Sequence, residues 1–396
     1  MTAIANQDEL ILDLPDTLSD EGFVVLRDQV GYLSEIIEEV HLEKGHLRVM
    51  LSRVAAAGEE ATIRQSYEEL AVRTVKSFLK VRLTVVDEND GRPTYGADPM
   101  LILRSSRQAV ESYTGTFVLG GDLLRVMQEL DGFFRRYALS LGAEEQAYPT
   151  TVPVSSMLQN GYIGNFPHHA LMVARVHNDL GALTQLAQVG KDGEVGADLM
   201  HGAGQMLSPT VCYHCFEALR SQDVATVGTT YTATAHCHRW EGPATEGLAR
   251  LQTFTMREIV FFGTPEEVDD VKVKIMEHAC DTFTRWGVGF RLMTATDPFF
   301  AVNAETKRAF QSMQALKHEL RIVLPFSGDT LACASFNNHK DTLVGAYQIG
   351  HSGCDKLYSG CVGYGFERMA YALFAHFGLM PAKWPEAICC DLKLHA

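Results

Sequence analysis

Residues 231–263, YTATAHCHRWEGPATEGLARLQTFTMREIVFFG, gather groups that can grip a nucleotide on what reads as a strand, a polar Gly/Pro loop and a second strand. Successive side chains alternate across a strand. Arg239 and Glu241 therefore share a face of the first strand, and Gln252, Phe254, Met256 and Glu258 share a face of the second. A guanidinium offers phosphate a planar fork of donors, and the Phe254 ring offers a purine a flat plate. Arg250, in the loop, adds a second fork. Half-exposed sheets also carry charge on their solvated faces, so the alternation alone establishes a polar sheet face.

A second stretch, GCVGYGFERMAYALFAHFG at 360–378, sets Gly363 and Gly365 before a helix with Arg368 in its first turn. Glycines permit close backbone approach, and the helix dipole adds to the pull of an arginine on phosphate. In isolation this is also what a plain turn looks like. The nine cysteines are an odd number at irregular spacing, which disfavours a disulfide framework and favours reduced thiols or metal ligands. Cys212-Tyr-His-Cys215 fits a redox motif or half a zinc ribbon, but it has no second C-x-x-C and no βαβ context. Cys215, Cys237, Cys280, Cys333, Cys354, Cys389 and Cys390 read as structural.

Positioning these groups requires a sheet, and the chain supplies strand and helix patterns for one. Residues 28–57 carry Leu33, Ile36, Ile37, Val40 and Leu47 at three- and four-residue steps, which predicts a helix broken at Gly58-Glu59-Glu60. A second helix at 61–80 would complete a short helical hairpin. KVRLTVVD and PMLILRS read as strands around the turn Glu88-Asn89-Asp90-Gly91. The Gly-rich TGTFVLGGD suggests a division into an appendage, 1–118, and a catalytic domain, 119–396. Asp122 is expected to cap a helix at 123–141 that stops at Gly142. Pro149 and Pro153 mark an edge strand. ALMVARVH, TVGTTYTATA, KHELRIVLPF and LACASFNNH give further strands, and 264–290 is helical after Pro265. The expected class is α+β, an antiparallel sheet flanked by helices with a helical/α+β N-terminal appendage.

A length of 396 residues allows two domains, or one large core with an appendage. With 46% hydrophobic and 21% charged residues the composition is that of an ordinary globular protein. No apolar run is long enough to span a membrane. The opening Met-Thr-Ala-Ile-Ala-Asn-Gln-Asp-Glu lacks a secretory layout, so a cytoplasmic protein is expected. A net charge of −15 disfavours a nucleic acid as the main partner.

The stretch 231–263 resembles motif 2 of a class II aminoacyl-tRNA synthetase, and RLQTFTMREIV is similar to the seryl-type version of its second strand. Residues 360–378 resemble motif 3, and the helix at 123–141 with its Pro-bearing strand resembles motif 1, which forms the dimer interface in that family. Where seryl enzymes have a Thr-x-Glu loop whose Glu holds the substrate amino group, this chain has Thr210-Val211-Cys212. Cys212, Glu258 and Cys361 together resemble the Cys/Glu/Cys zinc set of the amino acid:[carrier protein] ligases and of the unusual archaeal seryl enzymes.

The resemblance, over roughly 120–396, implies one Zn2+ per chain on Cys212, Glu258 and Cys361. Its fourth tetrahedral position would be open to an amino group, with Thr210, Cys212 and Glu258 around the amino acid. It sets Arg239 on the α-phosphate and Arg368 on the γ-phosphate as the catalytic pair. Glu241 would accept from the adenine amino group and Phe254 would stack on the base. Arg250 would lie near the phosphates or the opposite face, with Leu251 and Gln252 beside it. Ala332, Cys333, Ala334 and Ser335 would line the ATP pocket through backbone atoms. Mg2+ is expected with ATP; the seryl carboxylate is missing from LACASFNNH, which leaves Glu319 and Asp329 as its candidate ligands.

The implied activity is that of a homodimeric ligase. It would activate a small amino acid as its adenylate and pass it to the phosphopantetheine thiol of an acyl or peptidyl carrier protein, not to tRNA. The seryl tRNA arm is long, and the two helices expected here are short. The alternatives are a zinc-dependent seryl-type tRNA synthetase and a silent sensor of amino acid or nucleotide. The presence of Arg239, Glu241 and Arg368 together counts against the sensor.

Overall fold

The computed structural model describes residues 8–190, 193–224, 228–300, 304–351, 353 and 355–395. Its N-terminal part packs α1 (Asp20–Val30) and α2 (Glu59–Phe78) against an antiparallel sheet of β1 (Glu9–Asp13), β2 (Ile37–Glu43) and β3 (His46–Leu51), in the order β1-β3-β2. The helix expected at 28–57 is therefore corrected to the end of α1 and a β-hairpin, and the helical hairpin to a small α/β layer. Leu47, Val49 and Leu51 are fully buried with half-exposed residues between them, a period of two. Gly45, at φ +90°, makes the turn that a helix could not contain. The spacing of Leu33, Ile36, Ile37 and Val40 fits a helical step over so short a run, while the β-branched residues and Gly45 favour strands. α2 agrees with the second helix expected.

β4 (Val85–Asn89) leaves this layer and joins the main sheet, so residues ahead of 119 supply that sheet's edge strand. PMLILRS, expected as a strand, is the short helix α3 (Met100–Ser105). Asp98 accepts from the Met100 N–H at 2.8 Å, and only Leu103 is buried. β5 (Ala109–Tyr113) and β6 (Thr116–Leu119) form a hairpin. α4 (Gly121–Ser140) buries Leu123, Val126, Met127, Leu130, Phe134 and Ala138. Asp122 is not its cap: Gly120 holds that position, Gln108 Oε1 accepts from the Leu123 N–H at 3.0 Å, and Asp122 faces the dipole from the first turn. The helix stops ahead of Gly142, at φ +82°.

The chain continues through β7 (Glu144–Glu145), β8 (Thr151–Pro153), α5 (Val154–Gln159), α6 (Tyr162–Asn165), β9 (Met172–Val176), α7 (Leu180–Gln188) and β10 (Met200–Leu207). β8 is an edge strand of the sheet β8-β10-β9, where Pro153 is tolerated, and Pro149 lies just ahead of it. Then come α8 (Cys212–Ala218), β11 (Thr230–His238), β12 (Thr253–Gly263), α9 (Pro265–Trp286), β13 (Phe290–Thr294), α10 (Ala304–Met313), β14 (Lys317–Val323), β15 (Thr330–Lys340), α11 (Thr342–Tyr347), β16 (Tyr358–Gly365), α12 (Phe366–Phe377) and α13 (Glu386–Asp391). A capping box of Thr264 and Glu267 starts α9.

The main sheet runs β4-β13-β14-β15-β16-β12-β11-β7, antiparallel except where β7 meets β11. This is the α+β architecture expected. One face buries Ile259, Phe261, Val362 and Tyr364 against α4, α9 and α12, with Phe134 stacked on Tyr364 at 3.9 Å. Arg257 pins that face to α4 through Asp131 at 2.6 Å. The other face carries Glu258, Val260 and Cys361 and is where the candidate site lies. Among the described residues no helix is long and apolar enough to cross a membrane.

Candidate active site

Strand register brings the sequence-distant ligands together. Glu258 of β12 stands directly opposite Gly363 of β16, and Cys361 stands opposite the next same-face residue, Val260. Glu258 and Cys361 are thus diagonal neighbours on one face. A Cβ at position 363 would meet Met256 Sδ at 2.8 Å, so the glycine leaves the Met256 side chain its present place across β16, while Glu258 Cγ would stand at ordinary contact, 3.6 Å. Gly365 meets no such obstruction, since its nearest neighbour would be the Cys333 carbonyl oxygen at 3.8 Å. Cys212 arrives from the other side, as the first residue of α8, which packs on β12. The ligand atoms of Cys212, Glu258 and Cys361 all lie within 4.8 Å of one another, and all three residues are buried.

The local chemistry fits a cation. Glu258 Oε1 accepts from the Thr210 hydroxyl and, at 3.3 Å, from the Val211 N–H, whereas Oε2 is buried without a hydrogen-bond partner among the described residues. An orphaned buried carboxylate oxygen is costly unless something charged completes it. Burial, then the Cys361 charge, pushes Glu258 up to about 7. The hydrogen bond from Cys212 and the neighbouring His339 hold Cys361 well below a free thiol, while Cys212 is pushed up by the same bond, by burial and by Glu258. Two sulfurs and a carboxylate cannot all be ionised here without a compensating ion. Tetrahedral zinc, with bonds of about 2.1–2.3 Å, would draw its ligand atoms to roughly 3.4–3.8 Å apart, a modest closing of the existing cluster.

Sequence reasoning missed two residues around the thiolate. His339 Nε2 lies 3.4 Å from Cys361 Sγ, and the Asn337 amide donates to the same sulfur at 3.6 Å. His339 sits at a β-bulge between Asn338 and Lys340, with Lys340 at φ +52°. Bulges re-aim side chains beside sites and leave little trace in sequence periodicity. Burial acts against the His339 cation, but the Cys361 and Glu258 charges outweigh it and hold its pKa above the usual value. His339→Ala is expected to weaken metal affinity about 10–100-fold, as loss of an outer-shell partner does. Competition with a chromophoric chelator would measure it.

The nucleotide groups lie along β12, with Phe254 about 13 Å from Glu258 at ~3.3 Å per residue. The Arg239 guanidinium lies 5.2 Å from the Phe254 ring centroid, and its Nε donates to the Pro209 carbonyl at 2.9 Å. Neither Arg239 nor Glu241 is on the strand, which corrects their expected shared strand face: β11 ends at His238, Arg239 lies in the loop after it, and Glu241 opens a 3-10 turn. Arg250 bonds Glu241 at 2.6 Å and Asp28 of α1 at 2.5 Å, so the N-terminal layer clasps the loop between β11 and β12. The Tyr32 hydroxyl adds to this clasp by donating to the Trp240 carbonyl at 3.1 Å. Asp28 and Tyr32 were invisible in a stretch read as helical hairpin.

Arg368 donates to the carbonyls of Ala249 and, at 3.1 Å, Ala332, joining that loop to β15. Leu251 turns its side chain into the core, as do Cys333 and Ala334, so these can meet a ligand only through backbone. Gln252 is buried, its Nε2 has no hydrogen-bond partner among the described residues, and its N–H donates to Gly115 O at 2.8 Å at the tip of the β5–β6 hairpin.

Of the magnesium candidates, Glu319 stands in the cross-strand row Glu319, Ser335, Gly363, Glu258 on the site face. Its carboxylate pairs with Lys317 at 3.1 Å and Arg321 at 2.9 Å, and Lys317 also holds Asp297 at 2.7 Å. Asp329 is exposed next to Thr330, at the turn between β14 and β15 and away from this row. Cys215 lies outside the metal cluster and is pushed up to about 12 by burial. Cys237, Cys280, Cys333 and Cys389 are buried and Cys390 exposed; Cys354 lies outside the described residues.

The Arg250 triad gives a stability prediction. Arg250→Met leaves the buried Glu241 carboxylate without its partner, while half-buried Asp28 keeps Arg27 at 3.0 Å, and is expected to cost about 3 kcal/mol, read from urea unfolding. Burial alone would raise Glu241, but Arg250 and Arg239 outweigh it and hold its pKa low. Its contribution is therefore complete above the unfolded-state pKa of about 4.3 and is lost as pH falls through the lower folded value. Midpoints at about pH 3 should fall less steeply from those at about pH 6 in the variant than in the parent.

Residues 202–377 match the family described as tRNA synthetase class II core domain (G, H, P, S and T). The chain is 30% identical over 251 residues to Amino acid--[acyl-carrier-protein] ligase 1 of Bradyrhizobium diazoefficiens, covering 62% of this chain and 76% of that protein. It is 24% identical over 397 residues to the Type-2 serine--tRNA ligase of Methanopyrus kandleri, covering 92% of this chain and 74% of that one. The fold is shared with the crystal structure of M. kandleri SerRS in complex with A. aeolicus tRNASec, at TM-score 0.70 and 20% identity, over 97% of this chain and 77% of that one.

Proposed function

We propose, for a chain that belongs to the class II, seryl-type synthetase-like family of amino acid:[carrier protein] ligases, that it activates a small amino acid with ATP and loads it onto a carrier protein. The observation that carries this reading is the convergence of Cys212, Glu258 and Cys361 on the sheet face that also bears Phe254. Cys212, Glu258 and Cys361 would hold one zinc ion. Bound there, zinc would supply a Lewis-acidic position for the α-amino group of the substrate.

In the first step a carboxylate oxygen of the amino acid attacks the α-phosphorus of ATP, and pyrophosphate leaves with the bonding pair. Arg239 meets the charge that develops on the α-phosphate, a preorganised role in a partly dry site. Arg368 holds the far end of the triphosphate after giving up its carbonyl partners, and Phe254 stacks on the base. Glu241 would accept from the adenine amino group through Oε1, since Arg250 engages its Oε2. Thr210 keeps Glu258 oriented through its hydroxyl. Mg2+ would accompany the triphosphate, with Glu319 the better placed of the two candidate carboxylates.

In the second step the phosphopantetheine thiol loses its proton, its sulfur attacks the acyl carbonyl, and AMP leaves, giving a thioester. The reaction belongs to the cytoplasm, where ATP and carrier meet, and we assign the enzyme as a homodimer through α4 and β8.

The second reading, a seryl-type tRNA ligase, is favoured by one observation: the match to the M. kandleri protein covers 92% of the chain against 62% for the carrier ligase. Offering holo-carrier protein and tRNA together, with labelled amino acid, separates the two. Label is expected on the carrier as a hydroxylamine-sensitive thioester. Label on tRNA alone would replace the proposal with the second reading.

A further inference from the structure

A cavity of about 520 Å³ opens between α2, the pair Phe299 and Phe300, and the face of α10 that bears Ala304, Glu305 and Arg308, with Gln29 of α1 on its wall. Three cations line it, Arg73, Lys76 and Arg308. Arg308 is 3% exposed. Its Nη1 donates to Ser77 Oγ and its Nη2 to the Phe299 carbonyl, each at 2.7 Å, and the guanidinium lies 5.4 Å from the Phe78 ring centroid. The third donor position, Nε, is buried and has no partner among the described residues.

The charge is equally uncompensated. Arg257, the other buried arginine among the described residues, has Asp131 at 2.6 Å; Arg308 forms no ion pair among the described residues. The acids on the cavity wall, Glu68, Glu69 and Glu305, are exposed, and Glu305 lies 3.6 Å from Lys80. Burial, and then repulsion from Arg73, push Arg308 down to about 10. Keeping an unpaired guanidinium out of water beside a second cation is costly, and a bound anion removes that cost.

We propose that this cavity is a second ligand site, separate from the nucleotide pocket, which binds a phosphate group through Arg308 with Arg73 and Lys76. Phosphate matches the guanidinium, which keeps one further N–H on each Nη beyond those given to Ser77 Oγ and the Phe299 carbonyl. The volume falls within the range of small-molecule pockets, about 300–1,000 Å³, leaving room for the remainder of a phosphate ester beside Val72 and Phe300. Free phosphate and the phosphate of an ester share this chemistry. Because the cavity joins the N-terminal layer to α10, its occupant would brace the layer that clasps Arg250.

The test is calorimetric titration of the full chain, with the nucleotide pocket first saturated by a non-hydrolysable ATP analogue. The probes are inorganic phosphate, 4′-phosphopantetheine and phosphate-free pantetheine. Arg308→Gln should weaken the phosphate-bearing probes by about 10-fold or more, and the exposed Arg73→Ala by roughly 3-fold, as loss of charge-assisted hydrogen bonds does. Pyrophosphate exchange should be unchanged in both, which shows the fold and the nucleotide site intact. Phosphopantetheine binding more tightly than phosphate, with pantetheine silent, identifies an ester site; equal binding of the first two identifies a free-phosphate site. No phosphate binding at millimolar concentration, or binding equal in the parent and both variants, overturns the site. Pyrophosphate exchange and carrier loading report on the proposed function separately, so either reading can fail alone.

Discussion

Cys212→Ala is expected to remove bound zinc and amino-acid activation together. The substitution deletes a ligand atom that lies within 4.8 Å of Cys361 Sγ and of the Glu258 carboxylate. It leaves the backbone start of α8 in place, so folding should survive. Without the sulfur the remaining pair cannot close a three-ligand site, and the substrate amino group loses its anchor. Metal-ion contributions of several kcal/mol correspond to a loss on the order of 10³-fold in ATP–pyrophosphate exchange. Zinc content by mass spectrometry should fall from one per chain to background in the same preparation. A variant that keeps both would take Cys212 out of the site. One that loses zinc and keeps exchange would make the metal structural.

Arg239→Gln is the second large effect, and its signature differs. Arg239 lies over Phe254, tied by one hydrogen bond to Pro209 O, and has no role in the metal cluster. Exchange should fall about 10²–10³-fold, the cost of losing a preorganised donor aimed at developing charge, with zinc content unchanged. Arg368→Gln should behave alike in exchange. Its side chain also joins Ala249 to Ala332, so its thermal midpoint should drop where that of Arg239→Gln does not.

The division between what sequence revealed and what it concealed follows physical lines. Alternation along β12 put Phe254, Met256 and Glu258 on one face because strand period is local and rigid. The glycine frame before Arg368 was legible in part for a physical reason: a Cβ at Gly363 would press on the Met256 side chain, whereas Gly365 has no such constraint. The meeting of Cys212 with Cys361 depends on register and on the approach of α8, which no spacing encodes, and it was reached through family resemblance. His339 was hidden because a bulge, not a periodicity, places it. Asp28 was hidden because its contact with Arg250 crosses from one layer to another, and because residues 28–57 were assigned the wrong period. PMLILRS shows the same limit, since an apolar run as short as Met100–Leu103 cannot distinguish a strand from a short helix.

Activation of an amino acid at a metal-dependent site beside a nucleotide pocket is the claim on which the rest depends. ATP–pyrophosphate exchange against a panel of amino acids, in the absence of tRNA and before and after zinc removal, tests it most directly. The expected result is exchange with one small amino acid, lost with the metal and restored by zinc. Silence across the panel in zinc-replete protein, or exchange indifferent to zinc removal, would contradict it.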